Sequence, residues 1–234
     1  TTAVSDLASG TSDSLTWLFM GDSITHGAIW TDGFDSLPQL FEKFVKDDLG
    51  RIQDIVINTG SSGATAGTTL SDLDRRLNTY SPDVVVLMLG TNDAKSNVGE
   101  EDFKSNLVTI LEAIRAKGAI PVLRTPPPRK DQPANLPNYV QFVRDVAAQT
   151  GVILVDQYQE WTSLSNWESV FRKDNIHPDE AGHVWMAHQL IYELGLWREG
   201  SAICSLEYVV KENAAAPDGY ADPPAQPPAG FQQP

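Results

Sequence analysis

A serine near the start of the chain and a carboxylate–imidazole pair near its end have the residue types of a hydrolytic site. Ser23 comes just after the first apolar run, 15–20, and Asp174 and His177 lie three residues apart in a loop-forming context. A serine hydroxyl is a poor nucleophile at neutral pH unless a base accepts its proton, and a carboxylate can hold that base in the required tautomer. The sequence therefore predicts that Ser23 carries the chemistry, with His177 and Asp174 as the pair that activates it.

Short β-rich runs alternate with longer amphipathic runs along the chain, as a parallel sheet covered by helices requires. The predicted strands are 15–20, 52–57, 84–89, 120–123 and 152–155, and the predicted helices are 37–49, 70–80, 101–117, 139–149 and 180–194. This order predicts an α/β fold, a three-layer α/β/α sandwich around a flavodoxin-like, doubly wound parallel sheet of about five strands.

Small and polar residues follow four of these strands. They occupy 22–23, 58–63, 90–93 and 124–126. In open α/β sheets the chemistry collects beyond the carboxyl ends of the strands, so these segments are expected to converge on one rim. Each segment alone is weak evidence, because the same residue types are ordinary turn formers.

Taken together, these blocks resemble the GDSL esterase family, also called the SGNH hydrolases, over about residues 15–195. The serine, glycine, asparagine and histidine of the second name occur in that order as Ser23, Gly60, Asn92 and His177. The resemblance implies that Ser23 is the nucleophile, His177 the general base and Asp174 its orienting carboxylate. It also implies an oxyanion hole formed by the backbone amides of Ser23 and Gly60 and by the side chain of Asn92.

The first block departs from the family name, because Thr25 and His26 follow Ile24 where the name has leucine. This difference touches none of the implied catalytic groups. The resemblance implies ester hydrolysis through an acyl-enzyme, with no cofactor. We expect a short acyl group, acetyl above all, on a small-molecule or polysaccharide substrate, because the sequence has no long apolar lid that could shelter a fatty chain. Lipid esterase, lysophospholipase and thioesterase activities of the same family stay open.

Four residues near the predicted rim are candidates for substrate contacts: His26, Trp30, Arg124 and Trp167. Flat indoles in loops can stack on sugar rings or pack against acyl groups, and Trp161 is a further candidate of this kind. Arg124 could contact a carboxylate or phosphate of the substrate, and His26 lies three residues after Ser23. Partly buried edge packing for the indoles and a solvated loop for the histidine and the arginine are the structural alternatives.

The composition of the chain limits which binding partners are expected. The 234 residues carry a net charge of −14, which disfavours binding to nucleic acids, and no apolar stretch approaches the roughly 20 residues of a membrane span. Cys204 is the sole cysteine, so no internal disulfide forms. His183 and His188 are five residues apart and lie on different faces of a predicted helix, which argues against a metal site.

The ends of the chain differ from its middle. Residues 1–14 are predicted to be an N-terminal extension and 15–210 the catalytic domain, and 211–234 read as a Pro/Ala/Gln-rich linker or tail. We therefore expect a module of a larger multidomain protein, extracellular or at the cell surface. A disordered terminus without a role is the alternative for the tail.

Two hypotheses from other functional classes remain at this point. In the first, the chain is a flavodoxin-like binding protein whose segment 60–65 cradles a phosphate at a helix N-terminus. The acidic composition argues against it, and it leaves Asp174 and His177 without a purpose. In the second, the chain is a non-catalytic carbohydrate-binding module on the same scaffold.

Overall fold

A five-stranded parallel sheet forms the centre of the molecule. The computed structural model describes residues 2–27, 30–31, 33–131, 133–165, 167–172 and 174–206. Its strands are β1 (Thr16–Gly21), β2 (Ile55–Asn58), β3 (Val84–Met88), β4 (Ile120–Arg124) and β5 (Ile153–Val155). Their order across the sheet is β2-β1-β3-β4-β5, and each neighbouring pair is parallel. This is the predicted flavodoxin-like, doubly wound sheet.

Helices cover both faces of the sheet. They are α1 (Ala3–Gly10), α2 (Ser23–His26), α3 (Leu37–Lys43), α4 (Ala66–Ser71), α5 (Thr91–Lys95), α6 (Glu100–Ala116), α7 (Leu136–Thr150), α8 (Gln157–Thr162) and α9 (Glu180–Glu193). The cores on the two faces take their buried residues from different helices: α1, α3, α8 and α9 on one side, and α4, α6 and α7 on the other. The predicted three-layer α/β/α arrangement is confirmed.

Strand β1 shows how one strand serves both cores. Trp17 and Phe19 belong to the core under α3 and α9, whereas Leu18 and Met20 belong to the core under α6 and α7. Successive side chains of a strand point to opposite faces, so a central strand covered on both sides must be apolar throughout. The run that the sequence shows before Ser23 is therefore the middle of the molecule, and it delivers Ser23 to the carboxyl edge of the sheet.

Several element boundaries differ from the prediction. The second strand begins at Ile55, because Ile52 lies in a turn and is 69% exposed. The two helices predicted at 37–49 and 70–80 each end in a π-helical turn, at Phe44–Asp48 and at Asp74–Asn78. The helices α1, α2, α5 and α8 are absent from the prediction, since each is too short to show a clear helical period.

Residues 2–14, which the sequence analysis set apart as an extension, pack on the domain. Val4 of α1 is fully buried in the core, and the Thr2 hydroxyl donates to the carbonyl of Leu194 at the end of α9. Arg51 ties the same segment down by donating to the carbonyls of Ala8 and Thr11. The tail at 211–234 lies outside the described residues.

No helix within the described ranges combines the length and the apolar character that crossing a membrane needs.

Candidate active site

Ser23, His177 and Asp174 form one chain of hydrogen bonds at the carboxyl edge of the sheet. The Ser23 Oγ lies 2.8 Å from Nε2 of His177, and Nδ1 of the same ring lies 2.7 Å from Oδ2 of Asp174. Ser23 is 8% exposed and His177 is 6% exposed. A hydroxyl, an imidazole and a carboxylate in this order have the geometry of an activated serine nucleophile.

A tight turn presents both the imidazole and the carboxylate. Its two ends pair in an antiparallel bridge between Phe171 and Pro178, and the Arg172 N–H donates to the His177 carbonyl at 2.9 Å. At the tip of the turn Asn175 adopts a left-handed conformation with φ of 63°. The turn fixes the three-residue spacing that the sequence shows, because residues on one tight turn cannot separate without opening it.

Asp174 is held in its ionised form. Partial burial acts to raise the pKa of its carboxyl, but hydrogen bonds from the His177 ring and from the backbone N–H groups of His177 and Ile176 outweigh this effect. The pKa of Asp174 therefore stays well below its usual range. A permanently charged carboxylate at Nδ1 favours a proton on that nitrogen and leaves Nε2 free to accept one from Ser23.

Asn92 approaches the site from the end of the third strand. It lies in α5, immediately beyond β3, and its Nδ2 donates one hydrogen bond to the Ala64 carbonyl at 3.1 Å. The next residue, Asp93, accepts the backbone N–H groups of Ala66 and Gly90 and so ties the two neighbouring loops together. Burial raises the pKa of Asp93 to about 6, against those backbone hydrogen bonds.

Gly60 differs from its predicted role. Its backbone N–H donates to Oδ1 of Asn58 at 2.9 Å, so it is not available to an oxyanion. A Cβ at this position would come within 2.5 Å of the backbone nitrogen of His26. A glycine is therefore needed here for the close approach of two chain segments.

Gly63, three residues after Gly60, has the free backbone N–H that was predicted for Gly60. It stands between Ser62 and Ala64, which contact Trp30 and Asn92 respectively. Its N–H makes no hydrogen bond within the described part of the chain, and a Cβ built on it meets nothing within 4 Å. Its φ of 81° lies in the left-handed region that favours glycine. Two glycines three residues apart are not distinguishable by spacing alone.

Trp30 is the indole that the structure brings to the predicted site. Its ring stacks on the ring of His177, with centroids 3.9 Å apart and planes 8° from parallel. The other two candidates do not stack on His177. Trp161 is fully buried in α8 and stacks on Trp185, and Trp167 packs edge-on against Phe171, at the start of the catalytic turn. The sequence cannot separate these positions, because all three indoles lie outside the predicted strands and helices.

Arg124 does not reach a substrate. It is 1% exposed, and it donates to the side-chain carbonyl of Gln157, also buried. Burial lowers the pKa of Arg124 to about 9, although Asp22 partly offsets the effect. The sequence prediction places Arg124 just after the fourth strand, whereas in the structure it is the last residue of β4 and its side chain turns into the protein.

His26 also differs from the prediction. Its ring lines a cleft of ≈ 320 Å³ together with Ser36, Pro38, Gln39, Glu42, Val56 and Asn58, none of which belongs to the Ser23–His177–Asp174 chain. Burial lowers the pKa of His26, and the charge of Arg76 adds to the effect. The spacing of three residues from Ser23 places it one helical turn on, which does not decide where its ring points.

Two buried polar groups, Asp22 and His183, lie near the catalytic residues, and their burial is not evident from the sequence. Asp22 caps α2 through the Ile24 N–H, and burial raises its pKa to about 6. His183 of α9 accepts the Leu37 N–H at Nδ1 and is fully buried; burial lowers its pKa to about 3, with the charges of Arg124 and His177 contributing. Helical periodicity marks His183 only as an inward-facing position.

The fold agrees with the comparisons to known proteins. Residues 19–185 match the GDSL-like Lipase/Acylhydrolase family. The chain therefore belongs to this family, whose members hydrolyse carboxylic esters. The resemblance noted from the four sequence blocks is confirmed.

The relatives differ in how much of their own length this chain covers. An acetylxylan esterase of Geobacillus stearothermophilus is 25% identical over 209 residues, covering 76% of this chain and 93% of that protein. An uncharacterized protein of Mycoplasma pneumoniae is 42% identical over 106 residues, which are 43% of this chain but 12% of that protein. The crystal structure of a lipase/acylhydrolase from Enterococcus faecalis superposes with a TM-score of 0.68 at 25% identity, covering 80% of this chain and 100% of that one.

Proposed function

We propose that this protein is a serine esterase that removes short acyl groups, acetyl above all, from carbohydrates through an acyl-enzyme. The observation that carries the esterase part is the unbroken chain of hydrogen bonds from Ser23 through His177 to Asp174. The short-acyl and carbohydrate parts are supported by the absence of a long apolar lid in the sequence and by the acetylxylan esterase among the relatives.

In the first half of the reaction Ser23 Oγ attacks the ester carbonyl carbon as its proton passes to Nε2 of His177. Three donors hold the oxyanion that forms: the backbone N–H of Ser23, the N–H of Gly63 and the Nδ2 of Asn92. Ser23 is the first residue of α2, where a helix leaves backbone N–H groups without an intrahelical partner. Donors fixed in advance at this position lower the barrier because they need no reorganisation.

The intermediate collapses when the bond between the carbonyl carbon and the alcohol oxygen breaks. His177 gives its proton to the departing alcohol oxygen, which leaves the acyl group on Ser23. A water molecule then attacks the acyl carbon while His177 accepts its proton, and the same ring returns that proton to Ser23 Oγ as the carboxylic acid leaves. Asp174 stays ionised throughout and stabilises the imidazolium.

The loop at 59–65, which carries Gly63 and is called the oxyanion loop below, has surroundings that favour a polar alcohol as the leaving group. A cleft of ≈ 330 Å³ borders Ser62 and Gly63, and its other walls include Ser61, Thr68, Asp72 and Arg76. Hydroxyl and charged side chains form hydrogen bonds with sugar hydroxyls, whereas a fatty chain gains nothing from such walls. We therefore place the carbohydrate part of the substrate on this side of Ser23.

A substrate series tests the proposal. Purified protein is assayed with p-nitrophenyl acetate, butyrate and octanoate, and with acetylated xylooligosaccharides, beside the Ser23→Ala variant. We expect the highest kcat/KM on acetate, release of acetate from the sugars, and essentially no turnover by the variant. A faster reaction with octanoate would overturn the short-acyl part, and inertness toward every acetylated sugar would overturn the carbohydrate part.

A fluorophosphonate probe tests the nucleophile directly. It should label the wild-type protein with a stoichiometry of one at Ser23 and leave Ser23→Ala unlabelled. The melting temperature of the variant should match that of the wild type, because the serine lies at the edge of the sheet and not in either core. Turnover by Ser23→Ala above a few per cent of wild type would move the nucleophile to another residue.

A further inference from the structure

The indole of Trp30 covers one face of the His177 ring. The two rings are nearly parallel, 8° apart, with centroids separated by 3.9 Å. The edge of the same imidazole is already occupied at both nitrogens, by Asp174 at Nδ1 and by Ser23 at Nε2. Hydrogen bonds in the plane of a ring leave the ring free to tilt about the line through its two bonded nitrogens. The stacked indole removes that freedom.

Trp30 is itself attached to two other parts of the site. Its indole Nε1–H donates to the hydroxyl of Ser62 at 3.3 Å, next to Gly63 in the oxyanion loop. Its backbone N–H donates to the carbonyl of Gly27 at 2.9 Å, at the end of the helix that begins with Ser23. Trp30 therefore contacts the base and the loop of Gly63 through its side chain and the end of the helix of Ser23 through its backbone.

We propose that Trp30 is a positioning residue for ester hydrolysis, which holds His177 in line with Ser23 and stabilises its ring while it is positively charged. The face of an indole carries negative potential, so a cation stacked on it is stabilised. His177 becomes a cation each time it accepts the Ser23 proton. The role assigned to Trp30 rests on the proposed function, because it takes His177 as the base.

Other charged and titratable groups also act on this ring. Asp174 binds its Nδ1, Asp22 and His183 interact with it electrostatically, and the guanidinium carbon of Arg172 lies 6.0 Å from the Trp30 ring centroid. A substitution at Trp30 leaves each of these charged groups in place. Trp30 is the aromatic ring in contact with His177 within the described ranges, so its contribution is separable by substitution.

Kinetics separate a positioning role from a substrate-stacking role. Trp30→Leu removes the ring, Trp30→Phe keeps a ring face without the N–H, and Ser62→Ala removes the bond to the indole. We expect kcat on p-nitrophenyl acetate to fall about 10- to 100-fold in Trp30→Leu, because a misplacement of about 1 Å costs on this scale. The fall should be smaller in Trp30→Phe and in Ser62→Ala, and KM should change less than about threefold in all three.

Trp197→Leu is the matched control. This indole is partly exposed and packs on His188 and Tyr192, away from the catalytic turn, so its loss should leave both kinetic constants unchanged. A raised KM with an unchanged kcat in Trp30→Leu would overturn the proposal in favour of a stacking platform for substrate. Unchanged kinetics in Trp30→Leu would overturn it as well.

Tryptophan fluorescence tests the stack without any substrate. Contact with a stacked ring alters the emission of an indole. We expect His177→Gln to change the emission spectrum of the Ser23→Ala protein, because it removes the ring stacked on Trp30. With Trp30→Phe also present, the same substitution should leave the spectrum unchanged. A change that persists without Trp30, or no change in the parent, would overturn the stacked geometry.

The two experiments also separate this proposal from the proposed function. Turnover by Ser23→Ala would remove the esterase mechanism and leave the fluorescence change intact. No fluorescence change on His177→Gln, together with full dependence of turnover on Ser23, would remove the role of Trp30 and leave the esterase mechanism standing.

Discussion

Asp174 holds His177 with both of its carboxylate oxygens. Oδ2 lies 2.7 Å from the ring nitrogen Nδ1, and Oδ1 accepts the backbone N–H of His177 at 3.0 Å. One carboxylate therefore fixes the ring and the main chain of the same residue. The ring is oriented toward Ser23 from a backbone that is already immobile.

This double contact predicts what Asp174→Asn will do. The amide oxygen still accepts the backbone N–H groups, so the turn should keep its shape, but the negative charge that stabilises the His177 imidazolium is lost. We expect kcat to fall by about 10² to 10⁴ with KM little changed. Exposed Asp13→Asn serves as the control and should have no effect. A fall of less than tenfold would reduce Asp174 to an auxiliary role.

The contact between Asn92 and Ala64 predicts a second loss of activity. The Asn92 amide is anchored by one N–H on the Ala64 carbonyl, which leaves its other N–H for the oxyanion. Removing one donor of this kind costs about 10² to 10³ in kcat, and we expect Asn92→Ala to lose that much with an unchanged KM. Fluorophosphonate labelling should slow in parallel. Labelling at the wild-type rate would show that the amide does not face the reacting oxygen.

Gly60 and Gly10 differ in the room they offer, which predicts opposite effects on stability. A Cβ at Gly60 would lie 2.5 Å from the His26 backbone nitrogen, whereas one at Gly10 meets nothing within 4 Å. We expect Gly60→Ala to lower the free energy of unfolding by about 1–3 kcal/mol, and Gly10→Ala to leave it unchanged or slightly higher. Urea denaturation measures both. Equal midpoints for the two variants would contradict the close approach at Gly60.

Protonation linked to His183 destabilises the folded protein in acid. Burial lowers its pKa from 6.5 to about 3, so below about pH 6.5 the unfolded chain takes up a proton here and the folded protein does not. The contribution of His183 to the free energy of unfolding therefore falls as the pH drops from about 6.5 to about 3, by up to about 1.4 kcal/mol per pH unit. Asp22 and Asp93 act in the opposite direction, because burial raises their pKa values to about 6.

His183→Asn isolates this effect. The asparagine carbonyl can accept the Leu37 N–H in place of Nδ1, and it does not titrate. Between pH 7 and pH 5 we expect the free energy of unfolding of the variant to change by about 2 kcal/mol in the stabilising direction relative to that of the wild type. Asp22 and Asp93 are present in both proteins and cancel from the comparison. An identical pH dependence would show that His183 is protonated equally in the folded and unfolded states.

The sheet was predictable from the sequence because buried parallel strands are apolar on both faces. Val84–Met88 is the clearest case, with each of its five side chains buried. The polar segment after each strand could be placed at the rim because parallel strands all end at the same edge of the sheet. The family blocks then identify the residues that meet there, and Ser23, Asp174 and His177 indeed lie within hydrogen-bonding distance.

The direction of individual side chains could not be predicted. Arg124 ends a strand, but its guanidinium turns inward to Gln157, and Trp161 lies on a short helix that shows no periodic pattern. The N–H of Gly60 faces Asn58, two residues earlier, where an Asn-x-Gly sequence permits either direction. These outcomes depend on contacts between distant segments, and a local pattern carries no information about them.

The acid and the base share one short turn, whereas the serine joins them across 154 residues of sequence. All five strands end by Val155, so the whole sheet is present before the turn that begins at Phe171 has been synthesised. A nascent chain with a complete sheet and an exposed Ser23 therefore has no base. Within the described residues, Ser23 therefore gains its proposed base only after that turn has been synthesised and has docked at the carboxyl edge of the sheet.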